Sequence, residues 1–252
     1  SRVFNDPPVV VGHRGMGRGV VDGHAENTLE SFLAAADVAP WVEVDVCRTA
    51  DDALVVHHDP ALGDGRPIAS VAGDEAVAAG LPRLTDLLEA LPERTGVNLE
   101  IKSALEDAVR PPSRTTAALT APVVADTAPL RPLLVSSFDP AALQVIATAV
   151  RGVRRGLITW INFPVGIAVA AAAGLGVDVL SVHVGSLRPK GARRRKPHPG
   201  VRRVVRKAHE AGLEVLAWCP TAAQGRRLAS AGVDALCVND PRETLAALAE
   251  TD

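Results

Sequence analysis

The chain has 252 residues, of which 47% are hydrophobic and 22% are charged, and its formal net charge at pH 7 is −2. This length fits two average domains or one α/β barrel of about 250 residues, and it can bury a core without disulfide bonds. The near-neutral charge argues against a nucleic-acid-binding protein, which would carry an overall basic balance.

The cysteines indicate a reducing compartment, and the longest apolar run is too short to predict a membrane-spanning helix. Cys47, Cys219 and Cys237 form neither a CxxC pair nor a metal-ligand spacing, so they are predicted to be buried free thiols. A cytoplasmic location is therefore expected, although a signal peptide that had been removed would leave no trace. The longest apolar run, residues 163–177, is shorter than the roughly 18 residues of a membrane-spanning helix and is predicted to be a buried, alanine-rich helix.

Short apolar runs alternate with helical patterns along the whole chain. The predicted strands cover residues 9–12, 42–47, 97–102, 133–138, 154–159, 178–183, 214–219 and 234–238. The predicted helices cover residues 25–37, 81–93, 139–150, 165–174, 198–212 and 222–232. Such alternation is typical of parallel βαβ units, and eight strands without a GxGxxG fingerprint favour a closed barrel over an open doubly wound sheet. The predicted fold class is therefore α/β, a single (β/α)8 TIM barrel that forms one domain over residues 1–252.

One segment departs from this alternation. Residues 53–60 follow the second strand after only Asp51 and Asp52, which is too short a gap for a helical crossover. A hairpin is therefore predicted near the barrel mouth, followed by a short cap insertion at residues 63–80.

Charged side chains lie within the second and third strands, where burial makes them costly. Glu43 and Asp45 share one face of a strand, because strand side chains alternate, and Glu100 and Lys102 repeat the arrangement. One interpretation is a buried ion-pair network in which Lys102 pairs with Glu43 or Asp45. The other is a metal site, since three acids against one lysine leave negative charge for a cation to balance. Ligands that are all oxygens favour Mg²⁺ or Ca²⁺ over zinc.

Two histidine-bearing segments are predicted at the same barrel mouth. His13 and Arg14 end the first strand, and His57, His58 and Asp59 close the hairpin. Imidazoles titrate near neutral pH, so a pair of them can act as acid and base around one bond, whereas Arg14 and Lys102 suit phosphate oxygens. A divalent ion, two cations and two histidines are the parts that phosphoryl chemistry needs. No P-loop is present, which argues against nucleoside triphosphate substrates.

Several motifs, in order, resemble the glycerophosphodiester phosphodiesterase family. They are HRG at 13–15, ENTLESF at 26–32 and VEVDVCRTADDALVVHHDP at 42–60, followed by LPRLTDLLEAL, NLEIKS, VSSFDPAAL, AHEAGLEVLAW and GVDALCVNDP. The resemblance implies a (β/α)8 barrel, a divalent metal ion, and hydrolysis of phosphodiesters such as glycerophosphocholine to glycerol 3-phosphate and an alcohol.

The resemblance also implies roles for individual residues. These are His13 and His58 as the acid–base pair, Arg14 and Lys102 at the phosphate, Glu43, Asp45 and Glu100 at the metal, and Trp218 in the pocket wall. Core packing is the alternative for Trp218. Asp59 either orients an imidazole or caps the turn, and Asn27 or Thr28 caps the first helix. Gly15, Gly17 and Gly19 are expected to form a loose loop beside the phosphate.

Other segments bear on the substrate. Cys219-Pro220-Thr221 replaces the Thr-Val-Asn that usually follows the family's tryptophan, so the pocket rim is expected to differ, and Trp160 and Phe163 are predicted on that rim. The short cap leaves open a phospholipase D acting on lysophospholipid or sphingomyelin, and a non-catalytic barrel that binds phosphodiesters is a further alternative. The basic loop at 185–200 is either a solvated loop or an electrostatic contact for anionic diesters or anionic lipid.

Overall fold

A computed structural model of the chain describes residues 2–187 and 199–250. The strands of this part of the chain are β1 (Val9–His13), β2 (Val20–Val21), β3 (His24–Ala25), β4 (Trp41–Arg48), β5 (Leu54–Val56), β6 (Gly96–Ile101), β7 (Leu133–Ser137), β8 (Arg154–Thr159), β9 (Val179–His183), β10 (Glu214–Trp218) and β11 (Ala235–Val238). The helices are α1 (Leu29–Ala36), α2 (Gly73–Ala78), α3 (Leu84–Ala90), α4 (Thr116–Thr127), α5 (Pro140–Ala149), α6 (Val165–Leu175), α7 (Pro199–Glu210), α8 (Ala222–Ala229) and α9 (Pro241–Ala249).

Eight of these strands form a closed parallel barrel. They follow the order β1-β4-β6-β7-β8-β9-β10-β11, and β11 pairs with β1 to close it. Each of the eight predicted strands falls on one of them, so the predicted TIM barrel is confirmed. The predicted hairpin is also present, because β5 pairs antiparallel with β4 at its carboxyl end. The prediction of one domain over residues 1–252 stays a prediction.

Strand β4 shows how the barrel separates its two faces. All eight of its residues are buried. Val42, Val44 and Val46 pack in a cluster with side chains of α1 and α3, outside the barrel. Because side chains alternate along a strand, Glu43 and Asp45 point the other way, into the barrel. The period-2 pattern thus fixes which face carries charge.

The sequence reading missed or misjudged some helices. It did not predict α2, α4 or α9. Helix α4 contains Pro122 and buries the hydroxyl-bearing Thr116 and Thr120, so its apolar periodicity is weak. The alanine-rich run forms a helix as predicted, but the prediction that this helix is buried is wrong: in α6 only Ala168 and Ala172 are buried, and Ile167 is exposed. A helix of the outer ring covers the barrel with one face, and a run of small apolar residues does not mark which face that is.

The N-terminal segment closes the amino end of the barrel. Phe4 is fully buried and its ring lies edge-on to Trp41, with centroids 5.3 Å apart. The Glu214 carboxylate accepts hydrogen bonds from the backbone N–H groups of Val3 and Phe4. The opposite, carboxyl end is the one left open to ligands.

The three cysteines are unpaired, and the helices bear on membrane spanning. Cys47 and Cys237 are buried, Cys219 is half-buried, and all three are free. Among the residues described, no helix has the length and apolar character that crossing a bilayer would require. The cytoplasmic location stays a prediction.

Candidate active site

A cavity of about 750 Å³ opens at the carboxyl ends of the barrel strands. The predicted site residues that line it are His13, Arg14, Glu43, His58, Glu100, Lys102 and Trp218. Asp45 lies beneath them, almost fully buried. The carboxyl end of a TIM barrel is where active sites form, because the loops that follow the strands meet there. All eight predicted site residues therefore come together in one place.

Three carboxylates of neighbouring strands form a group that could hold a metal ion. Glu43 and Asp45 lie on β4, and the strand register sets Asp45 beside Glu100 of β6. One carboxylate oxygen from each of the three lies within 4.8 Å of the other two, and all three side chains are buried. Oxygen donors at this spacing fit a hard divalent cation.

Lys102 balances only part of this negative charge. Its ammonium lies 3.0 Å from Asp45 Oδ1 and also contacts Glu100. Burial opposes ionisation of Asp45, but the nearby Lys102, His58 and Arg14 together outweigh it and lower the pKa of Asp45 to about 2. For Glu100 burial prevails, and its pKa rises to about 7. The predicted ion pair is thus present for Asp45, and it leaves the other two acids undercompensated.

Glu43 is the least compensated of the three. Its Oε2 accepts the Arg14 backbone N–H at 3.0 Å, while its buried Oε1 has no hydrogen-bond partner among the described residues. Burial, together with repulsion from Asp45 and Glu100, holds the pKa of Glu43 well above its usual value. A buried carboxylate oxygen without a hydrogen-bond partner is what a metal-ligating side chain would present to a cation.

Arg14 lies at the cavity wall in a left-handed conformation, with φ of 55°. Its Nη1 donates to Glu26 Oε1 at 2.8 Å, and its Nε lies 3.7 Å from Asp45 Oδ2. Burial works against the charged form, but these carboxylates outweigh it and raise the pKa of Arg14. Arg14 is therefore a fixed positive charge beside the acidic group, and Glu26, which sequence reasoning did not single out, holds it there.

His13 is oriented by an amide. Its Nδ1 lies 2.7 Å from Asn239 Oδ1, and its Nε2 lies 3.9 Å from Glu43 Oε2. An amide oxygen only accepts, so Nδ1 carries the hydrogen and Nε2 is the atom that can exchange a proton. Asn239 also accepts the Arg18 N–H at 3.0 Å. The sequence analysis did not single out Asn239. Its position directly after β11, at the carboxyl end of a barrel strand, is the feature that could have indicated it.

His58 is oriented by a carboxylate. Its Nδ1 lies 2.7 Å from Asp59 Oδ1, so of the two readings of Asp59 the structure supports the one in which it orients the imidazole. Partial burial and the charge of Lys102 lower the pKa of His58. His57, by contrast, is not among the described residues that line the cavity.

Asn27, a candidate helix cap from the sequence, has a different role in the structure. The helix cap is Thr28, whose hydroxyl accepts the Ser31 N–H at 3.3 Å. Asn27 is buried at a left-handed φ of 57°, and its Nδ2 donates to Asp45 Oδ2 at 3.1 Å. Its side chain therefore supports a carboxylate of the acidic group. The ENT motif at residues 26–28 thus contains both the helix cap, Thr28, and a residue that supports the acidic group, Asn27.

The glycines of the first loop serve close packing. A side chain at Gly15 would collide with Ser31, and one at Gly17 would collide with the Asn239 carbonyl. Both have positive φ, and Met16 between them is fully buried. The expectation of a loose loop is wrong up to Gly17, and only Gly19 has open space around it.

The sequence model of the glycerophosphoryl diester phosphodiesterase family matches residues 13–243. The chain belongs to this family. Similar solved structures are a glycerophosphodiester phosphodiesterase from Parabacteroides distasonis (23% identity, 95% of this chain and 96% of that chain, TM-score 0.76) and a phosphodiesterase from Oleispira antarctica (26%, 96% and 97%, TM-score 0.73). The latter structure is a complex with the product sn-glycerol-3-phosphate.

Two glycerophosphocholine phosphodiesterases named GDE1 match a shorter stretch. The protein from Eremothecium gossypii and the one from Candida albicans are each 47% identical over 55 residues, which is 20% of this chain. The match spans only 4% and 5% of their respective lengths.

This family member has an aromatic wall on one side of its cavity. Trp218 lines the cavity and also packs against the barrel core, so both readings of it hold. Its ring is edge-on to Phe138, and Phe138 stacks on Trp160 with centroids 4.2 Å apart. The prediction that Phe163 shares this rim is wrong. A turn closed by the Phe163 N–H and the Trp160 carbonyl separates the two, and Phe163 packs against the outer core.

Cys219 lies behind His13. Its Sγ is 3.8 Å from His13 Nδ1 and 3.7 Å from Asn239 Nδ2. Burial opposes the change, but the contact with His13 lowers the pKa of this thiol. The expectation that this position shapes the pocket rim is wrong, since Cys219 is not among the described lining residues. Residues 188–198 of the basic loop lie outside the described residues.

Proposed function

We propose that this chain is a metal-dependent phosphodiesterase that hydrolyses glycerophosphodiesters to glycerol 3-phosphate and an alcohol. The observation that carries the proposal is Glu43, a buried carboxylate with an unpartnered oxygen, grouped with two further acids and 3.9 Å from His13 Nε2. The family supports the reaction class. The Oleispira antarctica complex with sn-glycerol-3-phosphate and the two glycerophosphocholine phosphodiesterases support the product and a choline-bearing substrate.

Glu43, Asp45 and Glu100 would hold one divalent ion, Mg²⁺ or Ca²⁺. When bound, such an ion supplies positive charge for phosphoryl oxygens and balances the carboxylates. Arg14 and Lys102 add fixed positive charge in the same wall, where it stabilises the negative charge that grows on the phosphate in the transition state.

The two histidines handle the protons. Each Nδ1–H is committed to an acceptor, Asn239 for His13 and Asp59 for His58, which leaves each Nε2 to exchange a proton. One Nε2 takes a proton from the attacking water, or from the substrate's own hydroxyl to give a cyclic intermediate. The other Nε2 gives a proton to the oxygen of the leaving alcohol as the P–O bond breaks. On the direct route, proton exchange with solvent restores both imidazoles. On the cyclic route the roles reverse: the imidazole that gave its proton takes one from a water that attacks the phosphorus, and the other returns its proton to the ring oxygen as the ring P–O bond breaks, which yields glycerol 3-phosphate.

A second candidate is a phospholipase D that acts on lysophospholipid or a sphingomyelin-type lipid. The observation that favours it is the apolar lining of the cavity entrance, where the exposed side chains of Leu105 and Trp160 lie. These side chains could contact an acyl chain, whereas a soluble diester does not need them.

The deciding experiment measures glycerol 3-phosphate released from glycerophosphocholine, with chelator and then with Mg²⁺ or Ca²⁺ restored separately. We expect turnover that stops with chelator, returns with one ion and is lost in Glu43→Gln. In His58→Ala we expect turnover to be lost while phosphate binding persists. Turnover on lysophosphatidylcholine alone would favour the second candidate. Phosphate binding without turnover on either substrate would favour a non-catalytic barrel.

A further inference from the structure

Large apolar side chains are exposed around the cavity entrance. Leu105 and Val109, on the 3-10 turn Leu105–Val109 between β6 and α4, are each 87% exposed. Trp160 and Ile161, in the loop between β8 and α6, are 63% and 55% exposed. We call these four side chains the apolar rim. All four follow the carboxyl ends of barrel strands and so share the catalytic end.

The turn that carries Leu105 and Val109 is anchored from below. Arg48 is almost fully buried, and its Nε and Nη2 lie 3.0 and 2.9 Å from Asp107 Oδ1. The other oxygen of Asp107 accepts backbone N–H groups at both ends of the segment, from Ala104 at 3.2 Å and Thr116 at 3.1 Å. A buried ion pair is costly to build. Here it fixes a turn whose apolar side chains face water.

The second half of the apolar rim is fixed as well. The Trp160 ring stacks on Phe138, and the Ser186 hydroxyl donates to the Trp160 carbonyl at 3.3 Å. The Ser103 hydroxyl donates to Asp139 Oδ2 at 2.6 Å, which ties the loop after β6 to the loop after β7. Three consecutive loops therefore form one arc.

The apolar rim is continuous with the cavity. Leu105 and Trp160 belong to the rim and also line the cavity. Whatever rests on the rim therefore borders the substrate entrance. A protein partner seated there would obstruct that entrance, whereas a lipid surface could supply amphiphilic molecules to it.

We propose that the apolar rim rests on the surface of a zwitterionic phospholipid aggregate, a bilayer or micelle. Tryptophan favours the boundary between headgroups and acyl chains, and Leu, Val and Ile gain free energy from shallow insertion. The carboxylates of Glu106 and Asp139 line the entrance beside the rim. Arg110 and Arg114, which follow Val109 in the chain and share the Asp52 carboxylate, offset them. Charges of both signs therefore border the rim, which fits a zwitterionic lipid surface better than a strongly charged one. Binding to lipid does not depend on the proposed hydrolysis.

The test is flotation of the protein with phosphatidylcholine vesicles. We expect the unchanged protein to float, and the double variant Val109→Ser, Ile161→Ser to lose about tenfold in partition coefficient, because two exposed apolar side chains no longer insert. The matched control is Leu130→Ser, since Leu130 is 60% exposed at the opposite end of the barrel, just before β7. This control should float like the unchanged protein.

A second readout is quenching of tryptophan emission by brominated phosphatidylcholine. We expect quenching in the unchanged protein and little in Trp160→Phe. The proposal is overturned if the unchanged protein does not float, if the double variant floats equally well, or if only anionic vesicles bind. A dimer that the double variant abolishes, without vesicle binding, would assign the apolar rim to a second copy of the chain and also overturn it. Val109 and Ile161 are not among the residues that line the cavity, so the double variant should still release glycerol 3-phosphate from soluble glycerophosphocholine. If this release occurs but the protein does not float, only the lipid-surface proposal fails. If neither protein releases glycerol 3-phosphate, the proposed function fails, whatever the flotation result.

Discussion

The two ends of the barrel treat buried carboxylates in opposite ways. At the amino end, Asp234 is almost fully buried and accepts from Arg2, from His209 Nε2 at 2.8 Å and from the Val215 N–H at 2.7 Å. At the carboxyl end, Glu43 is equally buried, yet one of its oxygens has no partner among the described residues. The chain compensates the first acid with its own donors, and under the proposed function the second acid would be compensated by a bound ion.

This difference separates a structural acid from a ligand acid. Burying a carboxylate without partners costs free energy, and the chain avoids that cost where the acid serves only the fold. At the proposed metal site, binding of a cation would recover this cost. Removing the acid should therefore affect function at one end and stability at the other.

The largest expected effect is that of Glu43→Gln on turnover. Losing one of three anionic oxygens weakens the metal site, so kcat/KM should fall about 1,000-fold or more. Without metal, and at alkaline pH that favours ionised Glu43, the same variant should melt at a higher temperature than the unchanged protein, because a buried charge that repels Asp45 and Glu100 has gone. Calorimetric titration of the metal and thermal melts check both parts. Activity within tenfold of the unchanged protein would remove Glu43 from the site.

Asp234→Ala should act on stability instead. It leaves the Val215 N–H, Arg2 and His209 without their shared acceptor, and we expect the free energy of unfolding to fall by about 3 kcal/mol. Urea unfolding measures this, and kcat should stay unchanged in the folded fraction. The control is Asp64→Ala, which removes a solvent-exposed ion pair with Arg66 and should leave the free energy of unfolding almost unchanged. Equal effects of the two variants would contradict the comparison.

Asp59→Asn should lower kcat/KM by about tenfold and shift its pH profile. The Asp59 carboxylate raises the pKa of His58, against the lowering by burial and Lys102. Without that charge the pKa of His58 falls further, so an acidic limb that depends on unprotonated His58 moves to lower pH. The pH dependence of kcat/KM tests this. A shift to higher pH would mean that His58 is not the group that titrates there.

The smallest expected effect is a pH-dependent melting shift. The pKa of Glu100 is raised to about 7 and that of Glu43 is raised too, both above the usual 4.5, so the metal-free fold loses their contribution to stability as pH rises through that window. Above it Glu100 is ionised, and only ionised carboxylates bind metal strongly. Saturating Mg²⁺ or Ca²⁺ should therefore raise the melting temperature by several degrees more at about pH 8 than at about pH 5.5. An equal shift at both values would contradict the assigned cause.

The basic loop and the apolar rim are two candidate lipid-contacting segments at the catalytic end of the barrel. Its expected contact with anionic lipid through residues 185–200 stays a prediction, while the apolar rim is inferred from side chains that the structure describes. Comparing zwitterionic with anionic vesicles distinguishes the two.

The sequence by itself determined the barrel, its hairpin and the positions of the charged side chains. Alternation along a strand is local, so Glu43 and Asp45 had to share a face wherever that strand lay, and parallel strands had to deliver their carboxyl ends to one side. Only the tertiary structure decided what orients and balances these groups. Asn239 meets His13 across 226 positions of chain because β11 closes against β1. Arg48 reaches Asp107 under the apolar rim for the same kind of reason. Spacing along the chain carries no information about such contacts, since they arise from the closure of the barrel and the packing of its loops.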